Sequence, residues 1–203
     1  MKLYYSPGAC SLSPHIVANE AGIPLELEKV DLGAKKTESG ADFLAINPKG
    51  YVPVLQLDSG EVLTEGPAII QYLADRKPQS GLAPPNGTLE RYRIQEWLGY
   101  INSELHKSFG PLFNPATSAE ARSERIAYLY KRFALVETAL AGKSWLTGEQ
   151  FSIADAYLFT VTNWANFVKV DLSKFPNLLA FQARASARSA VKAALMAEGL
   201  LAA

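Results

Sequence analysis

The single cysteine, Cys10, stands between a short aromatic run, Lys2 to Ser6, and a serine, Ser11, able to cap the helix that follows. At such a strand-to-helix turn the unpaired helix N–H groups and the positive end of the helix dipole favour a thiolate. Cys10 is therefore the first candidate nucleophile, against the plainer reading of a buried structural cysteine. The Ser11 hydroxyl either only caps the helix or also donates to a bound sulfur. The second feature is Val52-Pro53. A proline opening a strand removes a backbone donor. A cis bond there exposes the Val52 N–H and C=O, which can pair with a bound peptide backbone; a plain edge-strand proline is the alternative. The third is Glu65-Gly66 at a helix start. Glu65 is either a dipole partner or, with the Gly66 N–H, a grip on both charges of an amino-acid head group. The fourth is His106. Gly99, Ser103 and His106 share one helix face, which also offers Asn102. His15, inside the first helix, reads as a packing residue.

The elements that must position these residues change character along the chain. Pro7-Gly8-Ala9-Cys10 breaks the first strand, and a helix runs from Ser11 to about Ala21, with Gly22 and Pro24 stopping it. Residues 25–30 alternate apolar and charged types and read as a second strand; 31–40 is polar and irregular. Asn47-Pro48-Lys49-Gly50 is a turn. Residues 52–57 and 61–64 read as a β-hairpin across Asp58-Ser59-Gly60. Pro67 fits a first helical position in a helix reaching about Arg76. The order is βαβ, then ββα. A Pro- and Gly-rich linker follows, and strand signals then vanish. Helices are expected over 88–109, 118–141 and 156–167, with a last pair over 177–200. Ser152-Ile-Ala-Asp155 reads as a capping box with Asp in place of Glu, and Phe151 as its hydrophobic staple. The expected organisation is an α/β domain over 1–80, a linker over 81–87 and an all-helical domain over 88–203, with an active cleft between them built around Cys10.

Bulk composition excludes several classes. The 203 residues are 48% apolar and 20% charged, an ordinary globular balance, and 20 basic residues offset 20 acidic ones. No net field recruits nucleic acid or an anionic membrane. The first residues lead straight into structure, and no apolar stretch reaches spanning length, so a soluble, cytoplasmic protein is expected. One cysteine and two histidines with no metal spacing give no metal site, and no phosphate loop appears.

Taken together these features resemble the glutathione S-transferase family, most closely its bacterial beta class. The likeness runs along essentially the whole chain. It is strongest in KLYYSPGACSLSPH over 2–15, FLAINPKGYVPV over 43–54 and LTEGP over 63–67. The helical half adds SELHK over 103–107 and SIAD over 152–155. The resemblance implies a thioredoxin-like first domain (βαβαββα) followed by an all-helical domain, paired as a homodimer. It also implies a glutathione site. On it Cys10 faces the glutathione sulfur, Lys35 reaches the glycine carboxylate, Val52 before the cis-proline Pro53 pairs with the cysteinyl backbone, and Glu65 and Gly66 hold the γ-glutamyl group. Ser103, Glu104, His106 and Lys107 complete the site, in part for the partner subunit, and Asp155 is structural. Close relatives often carry Asn where this chain has Gly99, so one side-chain contact to glutathione is missing unless Asn102 or water replaces it.

The chemistry this implies is transfer of the glutathione thiolate to a small hydrophobic electrophile, with Cys10, His106 and Ser11 as catalytic candidates and no permanently bound cofactor. Phe109, Phe113 and Trp164 either line the electrophile pocket or belong to the core. A protein thiol facing a glutathione thiol also suits thiol–disulfide exchange or reductive dehalogenation through a mixed disulfide. A non-catalytic glutathione-binding protein is the third reading.

Overall fold

The computed structural model describes residues 1–202. The chain forms two compact units, one of Met1–Pro85 joined by the chain from Ala187 onward, the other Asn86–Ser186.

In the first unit β1 (Lys2–Tyr5), α1 (Leu12–Ala21), β2 (Glu26–Asp31), β3 (Lys36–Thr37), α2 (Phe43–Ile46), β4 (Val54–Gln56), β5 (Val62–Thr64) and α3 (Gly66–Arg76) follow one another. The five strands lie in the order β3-β2-β1-β4-β5. Only β1 and β2 are parallel, as a helical crossover between them requires. This is the thioredoxin-like arrangement. Side chains alternate across the sheet. Tyr4 and Val54, paired in register, share a face with Val30, Val52 and the α2 residue Phe43. Leu3 and Leu55, the next pair, are fully buried on the opposite face. There α3 packs against α1.

Local chemistry sets the helix ends. Gly22 closes α1 at φ 64°, where its N–H reaches the Ala18 and Asn19 carbonyls; a side chain is disfavoured in that conformation. Pro67 opens α3 as expected. Ser11 does not cap α1. Its backbone is helical (φ −62°, ψ −16°) and its side chain makes no capping bond, because an N-cap needs an extended backbone to turn its oxygen onto the first free N–H groups. The stretch expected to be irregular, 31–40, contains the short edge strand β3, paired with β2 at Val30 and Asp31.

The second unit is helical: α4 (Leu89–Tyr100), a π-helical segment (Ile101–His106), α5 (Lys107–Phe113), α6 (Ala119–Leu140), α7 (Ile153–Val168) and α8 (Pro176–Ala187). Thr88 caps α4 and Ser118 caps α6, each accepting from a backbone N–H three residues on. α7 is the core element. Nearly its whole circumference is buried, as its apolar sequence demands. Its capping box forms: Ser152 and Asp155 satisfy each other's backbone N–H groups. The continuous α-helix expected over 88–109 is interrupted by the π-helical segment and extends to Phe113.

The domain boundary also differs from the expected 88–203. The last helix, α9 (Ser189–Ala197), packs on α1 of the first unit. Arg188 clasps the Glu20 carboxylate through Nε and a terminal nitrogen at 2.5 and 2.8 Å, and Asn19 donates to the Ala190 carbonyl at 3.2 Å. Glu198 accepts from the Gly8 N–H at 2.9 Å and faces His15 Nδ1 at 3.0 Å. Composition could not reveal this return, because α8 and α9 carry the same helical signal. No helix among the described residues is long and apolar enough to cross a membrane.

Candidate active site

The candidate residues fall into two sets, one on each unit. In the first, β1 ends at Tyr5, the chain turns through Pro7-Gly8-Ala9, and α1 begins two residues after Cys10. The turn is held from three directions. The Ser6 N–H donates to the Ser11 hydroxyl oxygen at 3.1 Å, and that hydroxyl donates back to the Ser6 carbonyl at 3.2 Å. Glu198 holds the Gly8 N–H. Ser13 donates to the Cys10 carbonyl at 2.9 Å. Cys10 itself is half-buried. Its thiol donates to the Val52 carbonyl at 3.2 Å, a contact made by the neutral S–H form. The Val52–Pro53 bond is cis.

Ser11 is fully buried, with its hydroxyl both donating and accepting at Ser6. It therefore braces the Cys10 turn. Lys35 is half-buried, and its ammonium donates to the Gly50 carbonyl at 2.7 Å. Glu65 precedes α3 but makes no side-chain cap. Its carboxylate accepts from the Lys49 ammonium at 2.7 Å, and the same ammonium donates to the Thr64 hydroxyl at 2.9 Å. The bond to Glu65 raises the Lys49 pKa above its ordinary value. Gly66 is buried, and a Cβ there would lie 3.8 Å from the Pro53 ring. Among the described residues only Lys35, Glu65 and Lys169 combine a side chain with positive φ, at 56°, 69° and 58°. Two of the three are candidate ligand residues. A side chain held in that region costs roughly 1–3 kcal/mol, a strain that gathers at functional positions.

In the second unit the π-helical segment carries most of the set. The Ser103 hydroxyl donates back to the Gly99 carbonyl at 3.0 Å. Gly99 is exposed, and a Cβ there would meet no atom within 4 Å, so packing does not dictate its missing side chain. The Glu104 carboxylate accepts from the Tyr128 hydroxyl and pairs with Arg132 at 2.8 Å. Lys107 is exposed. His106 is half-buried, with Nδ1 2.6 Å from the Tyr157 hydroxyl, which in turn donates to Asn102 Oδ1 at 3.0 Å. Its ring lies edge-on to Trp164 at 4.8 Å. Phe109 and Phe113 meet the same indole at 5.6 and 5.7 Å. Phe109 is fully buried and also packs on Phe133, so it is core; Phe113 is half-exposed.

Three contributors escaped the sequence reading. Lys49 sits inside a turn motif where a lysine reads as a solvated charge. Tyr157 lies in an apolar helix where an aromatic reads as core. Glu198 is near the chain end, 183 residues from its partner His15. Only the spacing of Tyr157 and Trp164, seven apart on one helix face, was available as a signal.

The model of the glutathione S-transferase N-terminal domain matches residues 8–76, and that of the C-terminal domain matches residues 100–189. The chain is 50% identical over 200 residues to glutathione S-transferase GstA of Escherichia coli O157:H7, covering 98% of this chain and 100% of that one. A sphingomonad glutathione S-transferase solved in complex with glutathione is 50% identical with a TM-score of 0.95, covering 99% of this chain and 100% of that one. The bacterial beta-class enzyme of Sphingomonas chungbukensis is 49% identical at the same TM-score and the same coverage. A thiol at a strand-to-helix turn, a cis-proline beside it, a strained acidic residue opening α3 and matches to both family domains lead to one statement: the chain belongs to the glutathione S-transferase family, in its bacterial beta class, and is an enzyme of that kind.

Proposed function

We propose that the enzyme transfers the thiolate of glutathione to small hydrophobic electrophiles such as halogenated aromatics, in a detoxifying role. The observation that carries this reading is the Cys10 thiol resting 3.2 Å from the Val52 carbonyl. A tripeptide pairing its cysteinyl N–H with that carbonyl displaces the Cys10 S–H and leaves it facing the ligand's own sulfur. On this reading Lys35 meets the glycine carboxylate, Pro53 holds Val52 in place, and Glu65 with the Gly66 N–H takes the γ-glutamyl group. Gly99, Ser103, Glu104, His106 and Lys107 act as the second unit's polar face, Glu104 with its charge already balanced by Arg132. His106 takes the thiol proton, and half-exposed Phe113 receives the electrophile. A cytoplasmic setting, where thiols stay reduced, fits a lone half-buried cysteine.

The same contact favours a second activity, glutathione-linked disulfide exchange or reductive dehalogenation. In exchange, the Cys10 thiolate attacks oxidised glutathione, the old S–S bond breaks, one glutathione leaves as thiolate, and the other stays bonded to Cys10. Incubation with oxidised glutathione adds one glutathione per chain, removable by reductant and read by intact-mass spectrometry. No adduct means Cys10 does not face the bound thiol, and the site assignment falls. Cys10→Ala separates the two activities: transfer to a chloronitroaromatic persists, because glutathione's sulfur is the nucleophile there, while disulfide exchange is lost.

Glu65 gives a further test. Charged hydrogen bonds contribute about 1.5–3 kcal/mol, and half-exposure of Glu65 places it at the low end. Glu65→Ala therefore weakens glutathione binding by roughly tenfold by titration calorimetry. Unchanged affinity reduces Glu65 to a partner of Lys49.

The enzyme works as a homodimer on this reading. Tyr51 and Tyr92 are large and more than half exposed, at 51% and 57%, and are candidates for cover by a second copy. Light scattering showing only a 22.1 kDa species overturns the dimer.

A further inference from the structure

His106 Nδ1 and the Tyr157 hydroxyl oxygen are 2.6 Å apart, and that oxygen is 3.0 Å from Asn102 Oδ1. A phenol has one proton to give, and an amide oxygen only accepts. The Tyr157 proton therefore goes to Asn102, and the proton between Tyr157 and His106 comes from Nδ1. A neutral imidazole carries one N–H, so the lone pair falls on Nε2. We propose that Tyr157, oriented by Asn102, is a positioning residue that holds His106 in its Nδ1–H tautomer and makes Nε2 the basic nitrogen. This rests on the reading of His106 as the group that takes the thiol proton.

The fold builds the relay from two elements. The π-helical segment carries Asn102 and His106 four residues apart, so both reach one hydroxyl. Tyr157 is 1% exposed on α7, four residues beyond the start of a helix fixed by its capping box. A buried phenol must satisfy its hydroxyl, and here both its capacities are engaged. The His106 ring is gripped edge-on by Tyr157 at 5.9 Å and by Trp164 at 4.8 Å. A ring flip that exchanged its edges would have to disturb both packings. In the proposed step the glutathione S–H bond breaks, its electron pair stays on sulfur, and its proton moves to Nε2. The resulting imidazolium keeps its Nδ1–H on Tyr157.

The tautomer can be read directly. Long-range 1H–15N spectra of uniformly 15N-labelled enzyme, free of glutathione and at a pH where the imidazole is neutral, distinguish a protonated ring nitrogen from a bare one. The chain has only two histidines, so loss of one pattern in His106→Gln assigns the other to His15. The expected wild-type pattern has Nδ1 protonated and Nε2 bare; an Nε2–H form overturns the proposal. Tyr157→Phe removes one oxygen and keeps the ring. It is expected to shift His106 toward the Nε2–H form and to lower kcat by about tenfold or more, with glutathione affinity unchanged. A folded Tyr157→Phe enzyme that keeps the wild-type tautomer overturns the role of Tyr157. If that variant does not fold, Asn102→Ala asks the same question from the half-buried end of the relay: it frees the Tyr157 proton to turn toward Nδ1, and an unchanged tautomer there overturns the proposal. Should the tautomer respond as expected while His106→Gln turns over like the wild type, the relay stands and the assignment of His106 as the base fails.

Discussion

Asp155→Ala destabilises the enzyme by roughly 3–5 kcal/mol, because two or three buried neutral donors each lose their acceptor at about 1–3 kcal/mol apiece. At this chain length that corresponds to a melting temperature lower by roughly 10 °C or more. The carboxylate is fully buried. It accepts from the Leu146 N–H at 2.8 Å, the Ser152 N–H at 2.9 Å and the Ser152 hydroxyl at 2.7 Å. Alanine leaves those donors in the core beside α7 without an acceptor or water. A helix cap alone contributes about 1 kcal/mol; the larger figure comes from the Leu146 N–H, which arrives from the 145–148 turn. Glutathione affinity of the folded variant stays at the wild-type value. A large loss of affinity with an unchanged melting temperature would place Asp155 in the ligand site instead.

The same carboxyl makes stability depend on pH, with a definite sign. Burial pushes its pKa up to about 6 from 3.8, against the hydrogen bonds it accepts. The folded state then holds the proton more tightly than the unfolded one. The stabilisation this provides is complete below pH 3.8 and is lost as pH rises through about 6. A shift of about 2 units corresponds to about 3 kcal/mol. Asp155→Asn cannot titrate, so the wild type's advantage over it in urea unfolding shrinks by most of that amount between pH 4 and pH 7. A constant gap across that window would mean the carboxyl stays ionised in the fold.

Glu198→Ala is the second large effect, roughly 2–5 kcal/mol for two buried groups left unsatisfied at about 1–3 kcal/mol each. The Glu198 side chain is fully buried, facing His15 Nδ1 at 3.0 Å and accepting from the Gly8 N–H at 2.9 Å. Its removal strands a buried ring nitrogen on α1 and a backbone donor in the turn that carries Cys10. Glu198→Gln, which keeps one acceptor oxygen, recovers part of the loss. Thermal denaturation of the three proteins checks this ordering. If Glu198→Ala melts with the wild type, Glu198 contributes nothing to the Cys10 turn, and α9 is held by its packing on α1, the Arg188–Glu20 pair and the Asn19–Ala190 hydrogen bond.

Local sequence settled much of this protein. The β1–Cys10–α1 turn, the hairpin before Pro67, the capping box at Ser152 and Asp155 and the all-helical second half each rest on residues near one another in the chain. Periodicity, turn chemistry and capping act at that range. Cys10, Val52, Pro53, Glu65 and His106 could be named for the same reason, since each sits at a strand end, a helix start or a shared helix face.

Distances across the fold decided the rest. Ser11 could cap α1 by its type, but its backbone torsions turned the hydroxyl onto Ser6. Glu65 could cap α3, but Lys49, sixteen residues away, claimed its carboxylate. His15 read as packing because its partner Glu198 lies 183 residues on. The return of α9 to α1 depends on ion pairing and burial between segments that share no local signal. The His106 Nδ1 meets the hydroxyl of Tyr157, fifty-one residues away. A sequence window fixes which backbone shape a segment prefers; which buried donor meets which acceptor is fixed only when packing brings distant segments to within 3 Å or so.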